Sequence, residues 1–146
     1  MLTKEEGILA VKYARSCITS AIKNSPRNIT EVPAVFNEKR GVFVTLTTQE
    51  GHLRGCIGYP YPIFPLKEAL CDAAIAAATE DPRFYPVGES ELNDVCVEVS
   101  ILTLPKKISG SPENYPQKIK IGRENLSQKL SLSCNSNRTD LLSILI

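Results

Sequence analysis

The sequence predicts an α+β fold in which two helices cover an antiparallel sheet. Two segments repeat apolar residues at helical spacing, and three segments alternate apolar and polar residues as half-buried strands do. A chain of 146 residues is typical of one domain. Such a domain buries roughly 70% of its unfolded surface, so its core needs no disulfide or metal.

The first helix is predicted over residues 4–24. It begins at the capping box Thr3-Lys4-Glu5-Glu6, in which the Thr3 hydroxyl and the Glu6 carboxylate accept backbone N–H groups of the first turn. Pro26 ends the pattern soon afterwards. Cys17 falls in the apolar stripe of this helix, so we interpret it as a packing residue.

The second helix is predicted over residues 66–80. Pro65 suits the start of a helix, whereas Asp81 precedes Pro82 and is therefore pushed out of the helical region. The many alanines in between indicate a helix whose backbone lies close against the sheet. We interpret Cys71, within this helix, as a small hydrophobic residue.

Strands are predicted at residues 40–48, in the segment that follows the turn at residues 49–51, and at residues 94–103. The first two form a hairpin. In the third strand the valines and Ile101 face the core, and the opposite face carries Cys96, Glu98 and Ser100. Residues 117–122 predict one more short strand.

The second strand carries the motif Leu53-Arg54-Gly55-Cys56-Ile57-Gly58. Because side chains alternate along a strand, we expect Arg54 and Cys56 to share one face, with Leu53, Gly55 and Ile57 on the other. If Glu98 lies on the face of Arg54, we expect these two residues to pair. The Cα atoms of Arg54 and Cys56 would lie roughly 6–7 Å apart, close enough for the guanidinium to stabilise a thiolate. The glycines weaken the strand and allow another backbone or a ligand to come close.

Two loops flank this motif in our prediction. Residues 59–65 contain three prolines and therefore predict a surface loop beside Cys56, whose Tyr59 and Tyr61 rings either stack on a planar ligand or cover the core. Two interpretations of the later Asp81-Pro82-Arg83 loop stay open. In one, Asp81 caps backbone donors while Arg83 pairs with a carboxylate; in the other, the loop lines a pocket and Arg83 binds an anionic ligand. The two interpretations are compatible.

Composition narrows the classes of protein. The net charge of +1 provides no overall field for binding nucleic acid or a membrane. It does not exclude a local patch of charge. The polar, acidic N-terminus is unlike a signal peptide, so we expect a soluble, cytoplasmic protein. The five cysteines form no C-x-x-C pair and His52 is the only histidine, which argues against a zinc site and favours reduced thiols.

The residue 53–58 motif, followed by Asp81-Pro82-Arg83-Phe84-Tyr85-Pro86-Val87 and Glu98-Val99-Ser100-Ile101-Leu102, resembles the AMMECR1 family over about residues 1–126. The resemblance implies a partly curled, half-barrel-like sheet and a two-lobed domain with a cleft beside Cys56. It implies no particular activity and no cofactor. Family members occur fused to, or encoded beside, Memo-type and radical-SAM proteins, which implies a functional link to such partners.

The sequence changes character at about Ser127. Ser127–Ile146 contains five Ser and five Leu but no Gly, Pro or aromatic residue, and it does not resemble the family. We therefore divide the chain into an AMMECR1-like domain at residues 1–126 and an atypical tail at residues 127–146. Our hypothesis is that the tail is an out-of-frame or truncated reading, which would leave the domain incomplete at its C-terminal end.

Two classes of function fit these residues. In the first, a small enzyme or enzyme component acts on an anionic substrate in a cleft around Arg54 and Cys56. Its candidate catalytic residues are Cys56 as nucleophile, Arg54 as the cation beside it, and Glu98 or Asp81 as an orienting carboxylate. Candidate ligand-binding residues are Arg83, Tyr59, Tyr61 and Ser100. In the second class, the same groove binds a nucleotide, an RNA or a protein partner without chemistry. We expect no metal and no cofactor in either class.

Overall fold

The computed structural model describes residues 2–29, 31–104, 127–132 and 144–145. Its helices and strands are α1 (Lys4–Lys23), β1 (Val42–Thr47), β2 (Leu53–Tyr59), α2 (Leu66–Thr79), β3 (Cys96–Leu102), β4 (Ser127–Leu132) and β5 (Ile144–Leu145). Two short 3-10 helices lie at Ala34–Asn37 and Glu89–Glu91. The predicted helices and first three strands are confirmed to within two residues at each end. The strand predicted at residues 117–122 lies outside the described residues.

The predicted capping box starts α1. The backbone N–H of Glu6 donates to Thr3 Oγ1 at 3.2 Å, and the backbone N–H of Thr3 donates to Glu6 Oε2 at 2.7 Å. At the other end Asn24 takes the left-handed conformation, with φ 48°, and its N–H donates to the carbonyl of Ser20. Both ends of the helix therefore have local partners for their backbone groups.

Replacing Thr3 with alanine tests this cap. The substitution removes one of the two reciprocal hydrogen bonds, so we expect the free energy of unfolding to fall by about 1 kcal/mol. Urea denaturation followed by circular dichroism measures the change. Thr103→Ala is the matched control, because Thr103 is exposed and the described residues offer its side chain no hydrogen bond. Equal losses in the two variants would contradict the role of the cap.

The strands form one antiparallel sheet with the order β2-β1-β3-β4-β5. Within the described part of the chain β2 and β5 are the edges, so the sheet is open and not a closed barrel. This arrangement, with two helices, confirms the predicted α+β class. β4 and β5 belong to the segment that we predicted as an atypical tail, and β4 pairs with β3 from Val97↔Leu132 to Leu102↔Ser127.

Both helices pack on the same face of the sheet, α2 over β2 and β1 and α1 over β3 and β4. In β1 and β3 buried side chains alternate with half-buried ones, as the period of a strand requires. The largest fully buried side chains are Phe36, Ile18, Leu46, Leu66, Leu70, Val11, Val42, Val44, Val97, Val99 and Cys17. The other face of the sheet carries three residues of the predicted site, Cys56 on β2 and Glu98 and Ser100 on β3. Neither described helix has the length and apolar character needed to cross a membrane.

One prediction about the cysteines is wrong. Cys17 of α1 and Cys71 of α2 form a disulfide, with their Cα atoms 5.5 Å apart. We had interpreted both as reduced packing residues, because each lies on the apolar side of its own helix. The helices pack face to face, so the two apolar stripes meet and bring the sulfurs together within the usual Cα separation of a disulfide.

Candidate functional site

A β-bulge shapes the start of β2. The pairing with β1 shifts between Leu46↔Gly55 and Thr47↔Leu53, so Arg54 is the extra residue of the bulge. Leu53 therefore lies opposite Thr47, on the face away from the helices, and 42% of it is exposed. The expectation that Leu53 shares the face of Gly55 is wrong for this reason. Bulges commonly redirect a side chain beside functional sites.

The prediction that Arg54 pairs with Glu98 is wrong. Arg54 pairs with Glu91. Its Nε and Nη2 donate to the two carboxylate oxygens of Glu91 at 3.1 Å each, a bidentate arrangement. Glu91 also accepts from the backbone N–H of Gly88 at 2.9 Å. The pKa of Glu91 is lowered chiefly by the hydrogen bonds from Arg54 and then by the one from Gly88.

Glu98 and Ser100 do not lie on the strand next to Arg54 and Cys56. In the sheet order β1 separates β3 from β2, and the register pairs Thr45 with Glu98 and Phe43 with Ser100. Two strand spacings of about 4.8 Å separate Glu98 from Cys56 along this row. The structure therefore places Glu98 beside Thr45, in the same row as Cys56, and not against Arg54.

Cys56 is a free, partly buried thiol in the middle of β2. Its Sγ lies 3.2 Å from Oγ1 of Thr45, the residue directly opposite on β1, and either group can donate the hydrogen bond. His52, which lies just before β2 in the hairpin turn, is exposed, and its backbone N–H donates to the Thr48 hydroxyl.

Asp81 joins the end of α2 to the edge of the sheet. Its carboxylate accepts four hydrogen bonds: from the Cys56 backbone N–H at 2.8 Å, and from the backbone N–H, Nε and Nη2 of Arg83 at 3.1, 2.9 and 2.7 Å. Only 4% of Asp81 is exposed. The Arg83 side chain, followed by the two backbone donors, holds the Asp81 pKa well below its usual range despite burial. The expectation that Asp81 caps backbone donors is confirmed, and the carboxylate that pairs with Arg83 is Asp81 itself.

Arg83 is a fixed cation that remains open to solvent. Its Nη2 donates both to Asp81 and, at 3.3 Å, to the carbonyl of Cys56, yet 53% of the side chain is exposed. None of its hydrogen bonds within the described structure uses Nη1. The pKa of Arg83 is raised chiefly by its hydrogen bonds to Asp81, and proximity to Cys56 raises it further. The guanidinium carbon lies 5.5 Å from the ring centre of Phe84, and that of Arg54 lies 6.0 Å from the same ring.

The two predicted tyrosines do not join this group. Tyr59 follows Ile57 on the helix side of the sheet, donates a hydrogen bond to Asp72 and meets the ring of Phe64 edge-on at 5.8 Å. Tyr61 is 67% exposed on the loop that follows. The pocket of about 610 Å³ that Tyr59 helps to line opens on the helix side, and Cys56 does not line it. This pocket therefore lies away from the predicted position beside Cys56.

Three residues of the site were missed from the sequence. Thr45 looked like an ordinary alternating strand residue, and its contact with Cys56 depends on the hairpin register. Phe84 lies within the residue 81–87 motif, and the sequence pattern predicts no role for it. Glu91 stands in an irregular segment without periodicity; the one local signal was its spacing of three residues after Gly88. Among the described residues, no three His, Cys, Asp or Glu side chains are grouped so that they could hold a metal ion.

Comparison with known proteins gives consistent matches. The AMMECR1 family model matches residues 11–132, a range that includes β4. A protein of Methanosarcina acetivorans is 51% identical over 134 residues, which is 88% of this chain and 67% of that one. A protein of Methanocaldococcus jannaschii is 54% identical over 128 residues, and the chain spans 64% of its length.

A solved structure shares this fold. The crystal structure of an uncharacterised protein from Pyrococcus horikoshii is similar with a TM-score of 0.72 and 41% identity. The match covers 88% of this chain and 70% of that one.

Proposed function

The chain belongs to the AMMECR1 family, and we propose that it is a small enzyme or enzyme component that acts on an anionic substrate beside Cys56. The observation that carries the proposal is Arg83, whose guanidinium is fixed by Asp81 and by the carbonyl of Cys56 while half of its side chain stays exposed. A cation that is already oriented loses little entropy when it binds a carboxylate or a phosphate. The open Nη1 of Arg83 is the donor for that ligand.

Arg54 and Phe84 lie next to Arg83 at this surface. Glu91 fixes two nitrogens of the Arg54 guanidinium, and the Phe84 ring lies within 6.0 Å of both guanidinium carbons. Arg54 Nη1 is buried and has no hydrogen-bond partner within the described structure. The positive charge of Arg54, which faces the same Phe84 ring as Arg83, adds to the field that favours an anion at this surface.

In the catalytic form of the proposal Cys56 is the nucleophile and Arg83 binds the anionic group of the substrate. Thr45 is a positioning residue, because its hydroxyl contacts Sγ and orients the thiol. Asp81 is also a positioning residue: it fixes Arg83 and the backbone of Cys56, and its low pKa prevents it from taking up a proton near neutral pH.

The four hydrogen bonds that Asp81 accepts also favour the alternative, a binding module without chemistry. A carboxylate that already accepts four hydrogen bonds is not a general base. In this alternative Arg83 and Arg54 hold the phosphate or carboxylate of a nucleotide, an RNA or a protein, and Cys56 fills the space beneath them. The finding that Tyr59 lies on the helix side removes one of the rings that a stacked base would have used.

Alkylation of Cys56 by two reagents tests both the enzyme and the binding module. Iodoacetate carries a negative charge and iodoacetamide does not, so an anion site beside the thiol favours iodoacetate. We expect the ratio of the iodoacetate rate to the iodoacetamide rate at Cys56 to fall about three- to fivefold in Arg83→Gln. Peptide mass spectrometry on folded protein measures the rates residue by residue.

The control and the outcomes separate the two functions. Arg40→Gln removes the same charge from an arginine that pairs with Glu38, and we expect its ratio to equal that of the unchanged protein. A preserved ratio in Arg83→Gln would overturn the anion site and with it both functions. A lowered ratio together with alkylation of Cys56 faster than free cysteine near pH 6 would support the nucleophile. The same lowered ratio with slow alkylation would support the binding module.

A further inference from the structure

The pocket on the helix side contains the disulfide found in the fold. Cys71 lines this pocket of about 610 Å³, whereas Cys17 is 1% exposed and lies behind it. A reagent that enters the pocket therefore meets the sulfur of Cys71 first. This site lies on the face of the sheet opposite to Cys56 and is independent of the function proposed above.

Arg27 is placed to stabilise a thiolate released from this disulfide. Its Nη1 lies 3.5 Å from Sγ of Cys71, 3.9 Å from Sγ of Cys17 and 3.1 Å from the hydroxyl of Tyr13. The loop that carries Arg27 is tied to α1, because the Ser16 hydroxyl accepts from the backbone N–H groups of Asn28 and Ile29. A guanidinium beside a cysteine stabilises its ionised form and makes it a better leaving group.

The first turn of α2 places both signs of charge beside Cys71. Lys67 and Glu68 line the pocket and precede Cys71 by four and three residues. Residues at these spacings are neighbours on a helix surface, with about 5–6 Å between their Cβ atoms. Asp72, the other acid of the pocket, already accepts from Tyr59. The pocket therefore has a lysine and a glutamate as helix-surface neighbours of the half-buried Cys71.

We propose that this pocket binds a small thiol that carries both a carboxylate and an ammonium group, of the class of cysteine and short cysteine-containing peptides, and that this thiol exchanges with the Cys17–Cys71 disulfide. Lys67 binds its carboxylate and Glu68 its ammonium group, which leaves the sulfur facing Cys71. The Tyr59 and Phe64 rings form the apolar wall behind the bound molecule.

The exchange takes place in two steps. The thiolate of the bound molecule forms a bond to Sγ of Cys71, the Cys17–Cys71 bond breaks, and its electron pair leaves on Cys17 as a thiolate beside Arg27. A second thiolate of the same kind then attacks the small-molecule sulfur of the mixed disulfide and releases Cys71. Two small thiols are oxidised to one disulfide, the protein disulfide is reduced to two thiols, and the two protons pass from the small thiols to the cysteines.

Reduction of the oxidised, folded protein by a series of thiols tests the proposal. The series contains cysteine, cysteamine with the ammonium group alone, 3-mercaptopropionate with the carboxylate alone, and neutral 2-mercaptoethanol. Each rate is divided by the rate of the same thiol on a short linear disulfide peptide, which removes differences in thiol reactivity. We expect the normalised rate of cysteine to exceed that of 2-mercaptoethanol about tenfold, with the two singly charged thiols in between.

Variants separate the binding step from the leaving group. Lys67→Gln is expected to remove most of the advantage of cysteine over cysteamine, and Arg27→Gln to slow every thiol about five- to tenfold, with Arg27→Lys close to the unchanged protein. Lys4→Gln is the matched control for charge, since Lys4 lies about 20 Å along α1 from Cys17.

Mass spectrometry of the trapped intermediate decides the direction of attack. A mixed disulfide on Cys71 supports the proposal, and one on Cys17 overturns it. Equal normalised rates for all four thiols overturn the small-molecule site, as does reduction only by a protein dithiol such as a thioredoxin. Free thiols at both Cys17 and Cys71 in protein kept under oxidising conditions would overturn the exchange altogether.

Discussion

Replacing Gly55 with alanine is expected to lower the free energy of unfolding by about 3 kcal/mol, because the sheet and α2 meet at this residue without room for a side chain. A Cβ on Gly55 would lie 2.1 Å from the carbonyl oxygen of Ala77 and 3.1 Å from its carbonyl carbon. Backbone atoms cannot rotate away, so the whole of α2 must move off β2. A shift of this kind also opens the alanine-lined interface beneath the helix.

Thermal unfolding and amide hydrogen exchange measure this effect in two independent ways. We expect the midpoint of thermal unfolding to fall by about 10 °C. Because Asp81 follows the end of α2, movement of the helix should also weaken its hydrogen bond to the Cys56 N–H and speed the exchange of that amide. Gly88→Ala is the matched control: Gly88 has a φ of −84°, and a Cβ there would meet its nearest atom at 3.8 Å. A loss in Gly55→Ala no larger than in Gly88→Ala would contradict the close contact.

Gly55 also shows what sequence reasoning achieved and where it stopped. The sequence predicted that a backbone or a ligand comes close to the glycines of the motif, and separately that α2 lies close against the sheet. Both predictions describe one contact, that of Gly55 with Ala77. Each of the two predictions concerns a local property of its own segment. That the two meet is decided by how the helix crosses β2, which no local pattern records.

The same distinction explains the errors. The bounds of α1, α2, β1 and β3 follow from periodicity and capping, which depend on neighbours in sequence. The partner of Arg54 depends instead on the bulge in β2 and on the path of the irregular segment that carries Glu91. Periodicity is silent about both, so the nearest acid on a predicted strand, Glu98, was chosen in its place.

The disulfide was missed for a related reason. Cys17 and Cys71 are 54 residues apart, and each fits the apolar side of its helix. Their pairing requires the rotation of two helices about their axes to be known together. Composition argued against it, because an odd number of cysteines without close spacing gives no pairing signal.

The second large effect is expected at Asp81. The change Asp81→Asn keeps the shape of the side chain but replaces one acceptor oxygen with a donor, so that two of the four donors around it lose their acceptor. We expect the free energy of unfolding to fall by about 2–3 kcal/mol at neutral pH, less than for a fully buried ion pair because Arg83 is half exposed. Urea denaturation measures the loss. Glu38→Gln, which breaks the pair between Arg40 and a half-exposed carboxylate, is expected to change the free energy by less than about 1 kcal/mol.

The pH dependence of this loss identifies its cause. The pKa of Asp81 in the folded chain lies below its value in the unfolded chain, so its ionised form stabilises the folded state. That contribution is complete above the unfolded pKa of about 4 and disappears as the pH falls toward the folded value. The gap between the unchanged protein and Asp81→Asn should therefore be constant from pH 7 to about pH 5 and should narrow below about pH 4. A gap that stays constant down to pH 2.5 would mean that lost packing, and not the carboxylate charge, destabilises the variant.

Faster alkylation of Cys56 in the same variant, without a change in the preference for iodoacetate, would show that Asp81 holds the thiol in place but does not hold Arg83.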